Sequence, residues 1–266
     1  MFDNNVDYSK VKFIEFYGLR RSGNHATISW LMNNLNGNEK PQDPEVLIAP
    51  VPELGFISQR VGDVYHINDV LSGWASKNRP FLRGLIDAYV SVGAKTIIIS
   101  YEEMHPGLSY SANDAFKMLK NSEKWTVLRD WDKLIASRSK QMLNKEISRK
   151  VFLDLNQDLI DRWLKSVHSS SDINKIHFDS WCKSKEYRDE LMEKVNLPNK
   201  DHTSHVSKAG GGSSFKSGNP LERKIEEYPE GWKELIDLNQ SKIDKAQTKI
   251  NNFIKYLPEM KEFEIF

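Results

Sequence analysis

The chain has 266 residues, with 38 Lys+Arg against 37 Asp+Glu and a formal charge of +1. That balance gives no cationic excess for a sequence-independent nucleic-acid binder, and 39% hydrophobic with 28% charged residues describes a globular chain able to bury a core. One cysteine, Cys182, excludes an intramolecular disulfide framework, a zinc ribbon or a Cys-x-x-Cys redox site.

The first residues, Met1 to Asp7, are polar and acidic. They lack the positive start and the apolar stretch of roughly 7–15 residues that a secretory signal needs, so a reducing, cytoplasmic location is expected. The longest aliphatic run, Ile97-Ile98-Ile99, is far below the ~20 residues that cross a bilayer, and no membrane span is expected.

In chain order, short apolar runs predict buried strands at 11–17, 96–101, 125–128 and 173–178. After the first strand come a loop, 18–25, and a helix whose Ile28, Leu31 and Leu35 repeat at helical spacing. Residues 36–52, rich in Asn, Pro and acidic side chains, read as a loop. A stripe of Leu159, Ile160, Trp163, Leu164 and Val167 predicts a helix within 156–168, and residues 186–197 another. Residues 202–220, rich in Gly, Ser and Lys, read as a second long loop. Ile243, Ala246, Ile250, Phe253 and Leu257 predict a C-terminal helix at about 231–258 that packs on the rest. Strands alternating with helices imply one α/β domain over 1–266, a mostly parallel sheet covered on both faces.

The loop Gly18-Leu19-Arg20-Arg21-Ser22-Gly23-Asn24-His25 joins a buried strand to a helix N-terminus, where backbone amides and the helix dipole favour an anion. Two arginines, a hydroxyl and two glycines add the donors that a tetrahedral oxyanion needs. Gly18 and Gly23 frame four residues as in a Walker A loop, but Asn24 and His25 stand where that loop has its Lys and its metal-binding hydroxyl. A magnesium-dependent nucleoside triphosphatase is disfavoured on that ground.

With Arg21, Ser22 and Gly23 at the basic, Ser and Gly positions, this loop resembles the 5′-phosphosulfate loop of sulfotransferases that use 3′-phosphoadenosine 5′-phosphosulfate (PAPS). A second segment, Val127 to Arg138, resembles that family's 3′-phosphate site: Arg129 ends a strand and Ser137 follows eight residues later in the next helix. The stretch 175–181, read as a strand, and the following helix resemble the approach to the family's last cofactor loop. There Lys208, Gly211, Ser213 and Ser214 lie in a glycine-rich run that the resemblance assigns to closure over the nucleotide. The resemblance spans residues 11–220.

It implies a three-layer α/β/α sandwich of the P-loop-like sulfotransferase type, and a transferase moving a sulfuryl group from PAPS to a hydroxyl or amine acceptor. The product is adenosine 3′,5′-bisphosphate (PAP), and no metal takes part. Arg20, Arg21, Ser22, Gly23, Asn24, His25, Arg129 and Ser137 would hold the nucleotide, and Arg21 would stabilise the bridging oxygen as its bond to sulfur breaks. The family uses a His or Glu base, and Glu102 and Glu103, ending a strand shortly before Arg129, fit that place. Glu103 is the first choice and His105 stands behind both; His25 and His66 are further possibilities, His66 reading better as a packing residue. The acceptor would be a small molecule or a carbohydrate. Two rival readings are a P-loop nucleotide kinase or NTPase and a non-catalytic nucleotide-binding protein. His202 and His205 lack the further ligands of a zinc site, and no Gly-x-Ser-x-Gly elbow marks a serine hydrolase.

Overall fold

The computed structural model describes residues 6–20, 22–37, 39–48, 56–69, 75–104, 114–143, 158–197 and 232–255. Its strands are β1 (Lys12–Gly18), β2 (Glu45–Ile48), β3 (Phe56–Val61), β4 (Val64–Asp69), β5 (Thr96–Glu102), β6 (Glu123–Leu128) and β7 (Asn174–His177). Its helices are α1 (Asn24–Leu35), α2 (Ala75–Ser91), α3 (Trp131–Leu143), α4 (Leu159–Val167), α5 (Phe178–Lys183), α6 (Lys185–Lys194) and α7 (Trp232–Lys255), with a 3-10 helix at Asp114–Asn121. All seven strands form one sheet in the order β2-β3-β4-β5-β1-β6-β7. It is parallel from β4 to β7 and antiparallel at the β2-β3-β4 end.

Alternation along the strands divides the core. Ile14, Phe16, Ile98, Trp125, Val127 and Ile176 face α1, α5 and α6. Their neighbours Phe13, Tyr17, Ile97, Ile99 and Tyr101 face α2 and the 3-10 helix. On that second face, Leu19 and Leu128 continue into a cluster of α3, α4 and α7 built on Trp131, Leu134, Trp163, Ile243, Ala246 and Ile250. The arrangement is α/β, with a mostly parallel mixed sheet between helices, and is compatible with a three-layer sandwich. No described helix is long and apolar enough to cross a membrane. Cys182 is buried in α5, and burial pushes its thiol up to about 12.

Four strands differ from the sequence expectation. The presumed loop 36–52 contains β2, an edge strand whose Glu45 and Val46 are exposed and therefore carry no apolar alternation. The strands β3 and β4 were hidden by polar residues, since Ser58, Gln59, His66 and Asn68 are all buried in them. The strand expected over 175–181 stops at His177, whose side chain accepts a hydrogen bond from the Ser180 amide and so starts α5 at Phe178.

Strand order locates the site. From β1 the chain runs to one side as far as β5, then crosses to β6 on the other side of β1. In open α/β sheets a switch point of this kind is where ligands bind, beyond the carboxyl ends of the strands. Gly23, the residue before α1, has φ +101°, and a Cβ there would lie 2.1 Å from Cδ2 of Phe178. Gly23→Ala should therefore destabilise by about 2–4 kcal/mol through the left-handed backbone and overpacking. Gly84→Ala, on α2 with nothing within 4 Å of the added methyl, should stabilise by about 0.4–1 kcal/mol. Urea midpoints of the two variants check both signs.

Candidate functional site

The loop after β1 is held by its own side chains. The Ser22 amide donates to Leu19 O at 3.1 Å, closing a turn. Ser22 Oγ lies 2.6 Å from Leu19 O and 2.8 Å from Asn24 Oδ1. The Asn24 side chain folds back over Gly18, where a Cβ would lie 2.0 Å from its Oδ1. Ser22 and Asn24 are both buried, so they shape the loop from inside. Gly23 gives α1 no side-chain cap; the first amides of the helix, which have no intrahelical acceptor, are what the loop offers to an anion.

Side chains of the other carboxyl-edge loops converge on it. Glu102 ends β5 opposite Gly18 and takes His25 Nε2 at 3.2 Å on Oε1 and Arg20 Nε at 3.1 Å on Oε2. Burial alone would raise the Glu102 pKa, but His25 and Arg20 outweigh it and hold the carboxylate below its ordinary value. Glu103 turns to the opposite layer. Its φ of +64° lets its amide donate to Gly18 O at 3.0 Å. Arg138 Nη1 of α3 meets its Oε1 at 2.6 Å, and Arg162 Nη1 of α4 meets its Oε2 at 3.3 Å. The Arg20 amide also donates to Glu103 Oε1, at 3.3 Å, and Arg138 Nη1 reaches Arg20 O at 3.3 Å. Three arginines and one histidine thus surround two carboxylates beside the loop.

The second motif lies on the same edge. Arg129 follows β6, is buried, and has its Cζ 5.2 Å from the centroid of the Phe178 ring. That is the ring packed under Gly23, so Arg129 and the loop meet across one side chain. Arg129 Nε is 3.6 Å from Asp179 Oδ1, and Trp163 Nε1 donates to Arg129 O at 3.0 Å. Lys133 Nζ sits 3.4 Å from Asp130 Oδ2 and 3.5 Å from Asp179 Oδ2. Ser137 is buried on α3, next to the Arg138 that contacts the first loop.

Asp130, His177 and Asp179 bring three ligand-type atoms within 4.8 Å of one another, yet the Lys133 ammonium already lies between the two aspartates. His177 Nδ1 accepts from the Ser180 amide at 3.3 Å. Its proton is therefore on Nε2, which donates to Asp130 Oδ1 at 3.1 Å. Gln247 of α7 completes this seam: Nε2 donates to Asp130 Oδ1 at 2.8 Å and Oε1 accepts from the Trp131 amide at 3.2 Å.

The structure therefore brings Arg20, Ser22, Gly23, Asn24, His25, Glu102, Glu103 and Arg129 to one edge of the sheet, with Ser137 buried on α3. Arg21, His105, Lys208, Gly211, Ser213 and Ser214 lie outside the described residues. His66 is buried in β4, where burial, with His25 close by as a lesser cause, pushes its pKa down to about 3. Sequence reasoning missed Arg138, Arg162, Lys133, His177, Phe178, Asp179 and Gln247. Arg138 adjoins a motif residue, and 177–179 end a strand at the same edge; nothing local marks Gln247.

Burial acts to raise the Asp130 pKa, but His177, Gln247 and Lys133 overcome it and hold the carboxyl well below the carboxylate range. A pKa depressed on folding gives stability that is present above the unfolded value near 4 and is lost as pH falls toward the folded one. Asp130→Asn should cost about 1–3 kcal/mol at pH 7, and the difference from the parent should shrink steadily below about pH 4. Urea melts between pH 2.5 and 7 check the trend. Comparison of the chain with protein-family models, with curated proteins and with solved structures finds no match.

Proposed function

We propose that the chain is a sulfotransferase of the P-loop-like type that moves a sulfuryl group from PAPS to a hydroxyl or amine acceptor. The supporting observation is the Phe178 ring, which packs under Gly23 of the first loop and against the Arg129 guanidinium of the second motif. Two anion-seeking motifs far apart in the chain, residues 18–25 and 129–137, are thereby neighbours, as one nucleotide phosphorylated at both ends of its ribose requires.

In the proposed reaction the donor's 5′-phosphosulfate lies on the α1 amides with Arg20 and Arg21, and the 3′-phosphate lies near Arg129 and Ser137. Sulfuryl transfer resembles phosphoryl transfer, with charge spread over equatorial oxygens, so positioning and fixed positive charge do most of the work. An arginine supplies that charge without giving up a proton. The bond from sulfur to the phosphate oxygen breaks, PAP leaves with the electron pair, and the acceptor oxygen takes the sulfuryl group as its proton goes to a base. The kinase or NTPase reading is weaker because Asn24, at the Walker lysine position, is folded onto Gly18 and Leu19 O.

Calorimetry with PAP, ATP and GTP tests the reading. Binding of PAP in the absence of magnesium is expected; tight magnesium-dependent ATP binding with no PAP binding would overturn it. Arg129→Ala should weaken PAP binding by about 10- to 150-fold, the loss of a charge-assisted contact of roughly 1.5–3 kcal/mol. Affinity for adenosine 5′-phosphosulfate, which has no 3′-phosphate, should hardly change. Because Arg129→Ala also strips a cation from Asp179, Ser137→Ala serves as a milder second variant, with about a three- to tenfold loss for PAP alone.

A further inference from the structure

Sulfuryl transfer to a hydroxyl needs a proton acceptor at the attacking oxygen, and the carboxylates that the sequence suggested are engaged otherwise. Both Glu103 oxygens are met by arginines, Arg138 at 2.6 Å and Arg162 at 3.3 Å. Glu102 is held ionised, its pKa below the ordinary value, which makes it a poor proton acceptor but a good orienting charge. What Glu102 orients is His25.

Resting on the sulfotransferase reading, we infer that His25, positioned by Glu102, is the general base. The geometry carries the assignment. His25 Nε2 faces Glu102 Oε1 at 3.2 Å, and a carboxylate only accepts, so Nε2 carries a proton and Nδ1 is the nitrogen that holds the lone pair of the neutral ring. Among the described residues no group hydrogen-bonds to Nδ1. The side chain is 32% exposed and stands in the first turn of α1, where the loop offers its amides to the phosphosulfate. A nucleophile–base–orienter series needs these features: a bare nitrogen toward the substrate and a fixed anion behind the ring.

Among the described residues, three charged or titratable groups face His25. Glu102 comes from β5, Arg20 from the loop and His66 from β4. His66 Nε2 contacts Ser100 Oγ at 2.8 Å, while Ser100 Oγ donates to Asn68 Oδ1 at 2.9 Å. Ser100 has one proton to give, so His66 is the donor to Ser100 and stays neutral behind the pair. In the step itself the acceptor O–H proton moves to His25 Nδ1 as the acceptor oxygen bonds to sulfur. The sulfur–oxygen bond to the phosphate breaks, and PAP departs with that electron pair. The imidazolium then lies between Glu102 and the departing anion until its proton passes to water.

Two measurements test the assignment. Nitrogen-15 NMR of the histidines, with His25 identified by its loss in His25→Asn, should show Nε2 protonated and Nδ1 bare at neutral pH. Glu102→Gln should mix the two tautomers; a bare Nε2 in the parent protein would overturn the proposal. PAP release from PAPS, with p-nitrophenol or water as acceptor, should fall by about a hundredfold or more in His25→Ala. Added imidazole should restore part of the rate, which the loss of a nucleotide contact alone would not permit. A His25→Ala rate within threefold of the parent overturns the base while leaving the sulfotransferase reading standing. Failure of the parent protein to bind PAP overturns that reading instead, with the tautomer measurement still deciding the His25–Glu102 geometry.

Discussion

The close approach of the Phe178 ring to the backbone at Gly23 is the constraint on which the edge of the sheet depends. A ring this near the loop leaves no space for a side chain at position 23, and the left-handed φ there excludes most residues independently. The ring's other neighbour is the Arg129 guanidinium, at 5.2 Å, a distance at which cation and π-system attract. Phe178 is itself the first residue of α5, placed by the His177 cap on the Ser180 amide. The chain of cause runs from a strand end to a helix cap, from the cap to a ring, and from the ring to the relative position of two loops more than 100 residues apart in sequence.

Around that contact charge is arranged in two different ways. Near Arg129 the groups balance: Arg129 and Lys133 face Asp130 and Asp179, and His177 donates to Asp130 through Nε2. Buried charges persist only when paired in this manner, and Gln247 adds a neutral donor to the carboxylate that carries most of the contacts. Near the first loop the pairs lie closer to solvent: Arg20 meets Glu102, Arg138 and Arg162 meet Glu103, and Arg162 also meets the exposed Asp158. What favours an anion there is the α1 N-terminus itself, whose first amides carry the positive end of the helix dipole.

Much of this was legible in residues with a single physical explanation. Gly18 and Gly23 after a buried strand announced a loop that approaches other groups closely, and both are sites where a Cβ would collide. Arg129 after Leu128 announced a strand-end cation. The parallel core strands were legible because Ile97, Ile98 and Ile99 are buried on both faces. Where an element's polar residues turn inward, the pattern fails: β4 reads as a polar segment because His66 and Asn68 bond to Ser100 inside the sheet. Glu102 and Glu103 were found by position, but their opposite environments are set by α1 on one side and α3 with α4 on the other, which no local spacing encodes. Gln247 shows the same limit, since its two partners are 116 and 117 residues away.

The carboxylates beside the first loop raise a question of competition, because an anion arriving there meets cations that already have partners. Donor capacity resolves it. Each guanidinium carries five N–H donors and so serves several acceptors at once: Arg138 meets both Glu103 and Arg20 O, and Arg162 meets both Glu103 and Asp158. Glu103 serves as an anchor that fixes two long side chains in place and lowers the entropy lost when they engage a second anion. It also keeps a cluster of like charges from repelling itself when nothing is bound. Glu102 does the same for Arg20 while facing His25, so two adjacent carboxylates are compatible with the function we propose: they set the cations in position, and the helix amides are the groups that would receive the anion.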